Sequence, residues 1–303
     1  MYFAVDPFDV NVMLHSLASL FRPIQPAENH EALRWFALVD RAFDHGHTGL
    51  NWPLQTLALY EERSDLSALA GVSPSLFALP APSDVDFDHT LLRLLRHCNG
   101  RPMLSFLALE QDAIDLIEQW SPCLKVPLSD QDEPYLLRMA DTRVLPALAT
   151  SPNRAFWQRL AHGVRHWWFI DRDGRPQSLP TDRGGAMNLK VDSDLTLSLK
   201  DLEHLLSSGL PDNVIATIEE QLPDLLPELG RAQFYALVAK ACVTAERFGV
   251  ESFPDVVSLA VASQCSHGSI LDKPEVKTLL AEHAWKPGEL SSELMHYFPE
   301  ETP

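Results

Sequence analysis

Two histidines four residues apart, His162 and His166 in the run His162-Gly163-Val164-Arg165-His166, come nearest in this chain to a metal-ligand spacing. On a helix that interval sets two imidazoles on one face, as zinc proteases use it. Such sites also carry a glutamate after the first histidine, to act on the metal-bound water. Glycine stands there instead, and it weakens the helix the geometry needs. His45 and His47 flank Gly46 with Asp44 as the one nearby oxygen donor, which reads as a surface turn. His97 precedes Cys98, but adjacent side chains on a helix point apart and make no thiolate–imidazolium pair. The chain contains no GxSxG elbow, no GxxxxGK[ST] phosphate loop and no GxGxxG turn. Carboxylates are abundant, yet no spacing singles out an acid/base pair among them. The expectation is a non-enzyme with no catalytic residue, no metal ligand and no bound cofactor.

Charges at the ends of apolar runs are more informative. Asp40 closes the run Arg34-Trp35-Phe36-Ala37-Leu38-Val39, and Arg138, Asp141 and Arg143 follow Tyr135-Leu136-Leu137. Charges placed beside a core pair with one another or with backbone groups, which sets local architecture. Partner contact is the alternative for this set, together with Tyr60. Trp157, Trp167, Trp168 and Phe169 form an aromatic cluster. Trp167 and Trp168 are neighbours, so on a strand they face opposite sides. One of them is then a candidate partner-contact aromatic, or is covered by a second domain.

The elements that must hold these residues follow from the apolar pattern. Helical spacing covers Val10 to Phe21, Asp88 to His97, Gln111 to Gln119, Val144 to Leu148 and Asn153 to Leu160. Strand-like runs lie at 34–39, 75–80, 103–109, 124–128 and 135–141, and 165–171 returns through an Asp173-Gly174 turn. Alternating strands and helices predict an α/β domain over residues 1–187, a mixed sheet with flanking helices. The polar stretch 182–194, with Gly184-Gly185, marks the boundary. Residues 188–303 read as helices alone, an all-α domain. Ser198 with Asp201, and Ser252 with Asp255, are capping boxes; Asp212 caps a further helix; Gly249 ends the long helix 231–248.

The chain of 303 residues has 46% apolar and 22% charged side chains, an ordinary globular balance. Its net charge of −18 opposes sequence-independent binding to nucleic acid and to anionic membranes. Residues 188–303 hold 8 basic against 19 acidic side chains, whereas residues 1–187 hold 16 against 23. The more acidic end is a solvated surface or one that meets a basic partner. The N-terminus lacks a basic n-region and an apolar run, so no signal peptide is expected. No apolar stretch is long enough to span a bilayer. Four scattered cysteines, Cys98, Cys123, Cys242 and Cys265, read as buried free thiols of a reducing, cytoplasmic compartment.

Four segments resemble the effector adaptor/chaperone family of the bacterial type VI secretion system, which carries domain of unknown function 4123. Phe36-Ala37-Leu38-Val39-Asp40 is similar to the family strand "aLlD". Leu57-Ala58-Leu59-Tyr60-Glu61 followed by Gly71-Val72-Ser73-Pro74-Ser75-Leu76 is similar to "sLye…gPyLv". Met103-Leu104-Ser105-Phe106, before a helix ending near Trp120, matches a family strand and "hLr" helix. Tyr135 through Leu145 is similar to "llRfyDpRvl". Ser73 departs from the usual glycine and Thr142 from the usual proline. The stretch Glu246-Arg247-Phe248-Gly249-Val250 through Val276 is similar to a helical module that accompanies such domains.

The resemblance implies a non-catalytic cytoplasmic adaptor. Such a protein binds a secreted effector and loads it onto the VgrG spike, with or without a PAAR-type tip protein. The helical domain is expected to select the cargo. Two other readings stay open at this stage: an immunity protein that plugs a basic toxin, and a hydrolase with a dispersed site.

Overall fold

A computed structural model of the chain describes residues 2–24, 33–44, 48–52, 54–61, 63–128, 131–181 and 197–298. It divides into two compact units, Pro7–Ser208 and Met1–Asp6 with Gly209–Pro303. The boundary read from sequence, between residues 187 and 188, falls outside the described residues, as do His45, Gly46 and His47.

The unit Pro7–Ser208 is an α/β layer. A six-stranded sheet runs in the order β2 (Thr56–Ala58), β3 (Ser75–Leu79), β1 (Arg34–Val39), β4 (Leu104–Leu109), β7 (Val164–Ile170), β8 (Pro176–Leu179). Each of these pairings is antiparallel. A separate hairpin joins β5 (Lys125–Leu128) to β6 (Gln131–Leu136). The two central strands are apolar at nearly every position because both faces of the sheet are covered.

One face carries α1 (Val10–Phe21) and α2 (Phe87–Cys98). Phe21 is fully buried there, with its ring centroid 5.1 Å from Trp35, 5.4 Å from Phe106 and 4.9 Å from Trp168. The other face carries α3 (Ala113–Leu124), the short α4 (Leu145–Ala149) and α5 (Arg154–Ala161). Trp167 stacks there on Trp120 and Trp157 at 5.5 and 5.4 Å. Three buried indole N–H groups are satisfied: Trp120 donates to Leu160 O, Trp157 to Pro180 O and Trp167 to Ser105 Oγ.

The second unit is helical: the C-terminal part of α6 (Leu199–Gln221), then α7 (Arg231–Arg247), α8 (Phe253–Cys265), α9 (Pro274–Glu282) and α10 (Leu290–Met295). The apolar stripe of α7, including Phe234, Val238, Ala241 and Ala245, packs on Val256, Leu259 and Ala260 of α8. Gly249 takes φ +64°, and Val250 N–H closes back onto Ala245 O, the left-handed stop expected of that glycine.

Three sequence expectations are corrected. The two helices read around Asp212 are one continuous α6, which Pro211 enters despite removing a backbone donor. The run 135–141 is strand only to Leu136; residues 137–144 are a turn. Ser252 and Asp255 do not complete the expected capping box, because the Ser252 side chain caps no backbone N–H of α8. The Asp255 carboxylate accepts hydrogen bonds from Trp285 Nε1 (3.0 Å), Gly288 N (2.8 Å) and Leu290 N (3.0 Å), tying the α9–α10 loop to α8. Ser198 and Asp201 do form the reciprocal box, and Asp201 also accepts from Ser151 Oγ and Asn153 N.

Sequence gave no sign that the first residues complete the helical unit. Ala4 is buried in its core. Gly230, the residue before α7, has no side chain to cap the helix. The Asp6 carboxylate takes that place, accepting from Arg231 N at 2.7 Å and Ala232 N at 3.3 Å. Replacing Asp6 with Ala is expected to cost about 1 kcal/mol, the usual value of an N-cap. Urea denaturation of the full chain checks this, and no loss would contradict it.

Burial alone would raise the Asp255 pKa, but its two backbone donors, the Trp285 indole and the Ser252 hydroxyl outweigh that and hold it below the ordinary 3.8. A carboxylate with a depressed folded-state pKa stabilises above its unfolded value, and that share is lost as pH falls through the folded value. Asp255→Ala is expected to cost about 1–3 kcal/mol at neutral pH by orphaning buried donors. In denaturation series the gap to the parent chain should narrow below pH 3.8; a gap constant down to the acid limit would refute the assignment.

Candidate functional site

The charged residues singled out by sequence converge where β1 ends and β4 begins. Asp40, the residue after β1, is 1% exposed. Its N–H donates to Met103 O, and its carboxylate accepts from Ala42 N at 3.1 Å and Arg138 Nη2 at 2.9 Å. Burial raises the Asp40 pKa; the Asp141 charge adds to the rise, and Arg138 opposes it. Arg138 reaches on to Asp141 at 3.5 Å. Asp141, also buried, is held in a two-pronged grip by Arg143, Nε to Oδ1 at 3.0 Å and Nη2 to Oδ2 at 2.8 Å. Both guanidinium groups lie over the Phe43 ring, at 4.8 and 5.2 Å from its centroid.

The turn 137–144 exists to deliver these groups. Leu137, Met139 and Ala140 are buried, anchoring it in the core. Thr142 N–H donates to Pro102 O at 3.1 Å, tying the turn to the entry of β4. A proline at 142 would have no hydrogen to give, so this bond depends on a residue with a backbone N–H at that position. Ser73 is fully buried; its hydroxyl accepts from Tyr60 N and donates to Pro74 O, both at 3.0 Å. Tyr60 is buried close by, and burial, helped by the Asp40 charge, pushes its phenol up to about 12. At neutral pH it stays protonated and offers no base.

A second cluster adjoins the first through the 3₁₀ turn Arg41–Asp44. The Asp44 carboxylate contacts His97 Nε2 at 2.8 Å and Arg101 Nη1 at 3.1 Å, and Arg101 also donates to Phe43 O. Burial lifts the Asp44 pKa, but His97 and Arg101 more than reverse this and hold it below the ordinary range. Sequence reading missed Phe43 and Arg101, and met Asp44 only as an oxygen donor beside His45 and His47. The one available signal was His97 and Arg101 four residues apart where α2 ends.

Other candidates separate. His162 follows the end of α5, while His166 lies on β7 against Trp168, so no helix face joins them. Among the described residues, no three His, Cys, Asp or Glu side chains group to hold a metal ion. His97 binds Asp44, and burial drives the Cys98 thiol far up, so the two make no reactive pair. The two candidate partner-contact aromatics, Trp167 and Trp168, are 0% and 6% exposed, because helices cover both faces of β7. Cys98, Cys123 and Cys242 are buried as expected; Cys265 is exposed, contrary to expectation. Among the described residues, no helix is long and apolar enough to cross a membrane.

The molecule thus presents an antiparallel α/β layer whose charged groups are spent on one another, with a helical unit following it in the chain. Residues 35–159 match the family model described as "Domain of unknown function (DUF4123)". That range runs from β1 to α5 and contains Asp40, Tyr60, Arg138, Asp141 and Arg143. No curated protein and no solved structure matches the chain.

The cluster acts chemically as a lock, with two guanidinium groups balancing two carboxylates. Breaking a buried pair costs ~3–5 kcal/mol, but the Arg138 side chain is 39% exposed, so water reduces the loss from Arg138→Ala to about 1–2 kcal/mol. In a double-mutant cycle with Asp40→Asn, the two losses should fall short of additivity by at least about 0.5 kcal/mol. Additive losses would mean that the contact carries no stability.

Proposed function

We propose that this chain is a non-catalytic, cytoplasmic adaptor of type VI secretion: it binds a secreted effector and delivers it to the VgrG spike, with or without a PAAR-type tip protein. The observation that carries the reading is the DUF4123 match over residues 35–159, a family associated with type VI secretion. The internal pairing of the charged cluster supports it. Asp40, Asp141 and Asp44 are occupied by arginines, histidine or backbone donors, and the Tyr60 phenol is held protonated. These groups brace a surface instead of offering a nucleophile or base.

The test is secretion. A strain lacking the chain should retain a type VI effector that the parent strain secretes, and tagged full-length chain should recover that effector together with VgrG. Normal export from the deletion strain would end the reading. Protection of a toxin-expressing host in the absence of any spike protein would instead make the chain an immunity protein.

A further inference from the structure

Within the helical unit lies a cleft of about 1290 Å³. Its apolar walls include Leu222 at the end of α6, Phe253, Val257 and Val261 along α8, and Met295 and Phe298 at the end of the described chain. Phe253, Val257, Val261 and Cys265 recur every four residues on α8, a second stripe in which Val257 and Val261 lie half-buried against the same core as Val256, Leu259 and Ala260, while Phe253 and Cys265 are exposed. Leu222, Phe253 and Met295 are 43%, 41% and 68% exposed, an apolar surface of the kind that marks a binding site.

We propose that this groove receives an amphipathic helix of the partner protein, apolar on the face it inserts and basic on its flanks. The partner's identity rests on the adaptor reading; the chemistry of the groove does not. Three observations select this occupant. The walls are helices and the turns between them, so no strand edge is offered to an extended peptide, and an entering segment must satisfy its own backbone as a helix does. The volume exceeds the ~300–1,000 Å³ of ordinary small-molecule pockets. Charge then sets the sign. Of the two charged residues lining the groove, Lys273 is engaged with Tyr297 O at 2.6 Å, while Glu220 has no ion-pair partner among the described residues. Met1–Asp6 and Gly209–Pro303 together hold 6 basic against 16 acidic side chains. That field draws a basic segment and repels a second copy of the same unit.

Cys265 lines the groove and is exposed, whereas Cys98, Cys123 and Cys242 are buried. Its rate of alkylation by a maleimide therefore reports occupancy in the intact chain. The probe is a synthetic Leu/Lys peptide of about 18 residues, roughly five helical turns, with leucines at i, i+3, i+4 and i+7 and lysines elsewhere. It should bind and slow Cys265 alkylation. A Leu/Glu counterpart, and a scrambled Leu/Lys peptide of the same composition, should each bind at least about ten-fold more weakly. Leu222→Glu and Met295→Glu, at exposed positions and with unchanged melting temperatures, should each weaken the Leu/Lys peptide by about ten-fold. Equal binding by the variants, by the Leu/Glu peptide or by the scrambled peptide overturns the proposal, as does unprotected Cys265. Protection arising from concentration-dependent dimerisation, or from a fatty acid alone when the peptide does not bind, overturns it too. Groove variants that still recover the effector reject the groove and spare the adaptor reading. A parent chain that binds the peptide but recovers no effector does the reverse.

Discussion

A carboxylate sits at the exit of the central strand β1 with 1% of its residue surface in water. An isolated charge there is costly, and Asp40 must find a cation or stay neutral. The cation comes from Arg138, almost one hundred residues later. This requirement shapes everything between β6 and α4. The chain leaves the hairpin at Leu136, buries Leu137, Met139 and Ala140 as anchors, and turns so that Arg138 meets Asp40 while Asp141 meets Arg143. Phe43 supplies a ring on which both guanidinium groups rest, and Asp44 carries the same economy to the end of α2.

That dependence explains what could be read from sequence. Elements built on local periodicity were legible: α1 over Val10–Phe21, the continuous apolar runs of β1 and β4, the β7–β8 hairpin with Gly174 at its turn, and the helical character of the last hundred residues. Asp40, Arg138, Asp141 and Arg143 were legible as a set, because a charge beside an apolar run needs a partner. Segments whose conformation is decided by a distant group were not. Residues 137–144 have the apolar content of a strand but are bent by ion pairs. Asp255 has the spacing of a cap but binds a loop thirty residues on. Asp6 caps a helix more than two hundred residues away, and no window of sequence contains both.

The aromatic residues show the same limit from another side. Alternation on β7 sends Trp167 and Trp168 to opposite faces, as it must. Whether a face is wet depends on what covers it. Phe21 of α1 covers one face, and Trp120 with Trp157 covers the other. The adjacent tryptophans therefore stabilise the α/β layer from both sides and contribute little to its surface. What the layer can present outward near its charged lock is the partly exposed Arg138 edge.

The helical unit distributes its apolar residues differently. α8 carries two stripes: Val256, Leu259 and Ala260 are buried in the core, and the second is only partly covered by it. In a helix enclosed on all sides a second stripe would be packing, but here it opens on the cleft with Phe253 and Cys265 exposed. Uncovered apolar surface of this kind promotes association unless something opposes it. The charge of this unit does so: 16 acidic side chains against 6 basic ones keep identical copies apart while leaving the groove attractive to a segment of opposite sign. The acidity and the second stripe are thus two halves of one arrangement. Net charge discourages self-association across a surface whose apolar content invites it, and a partner that is both apolar and basic meets neither obstacle.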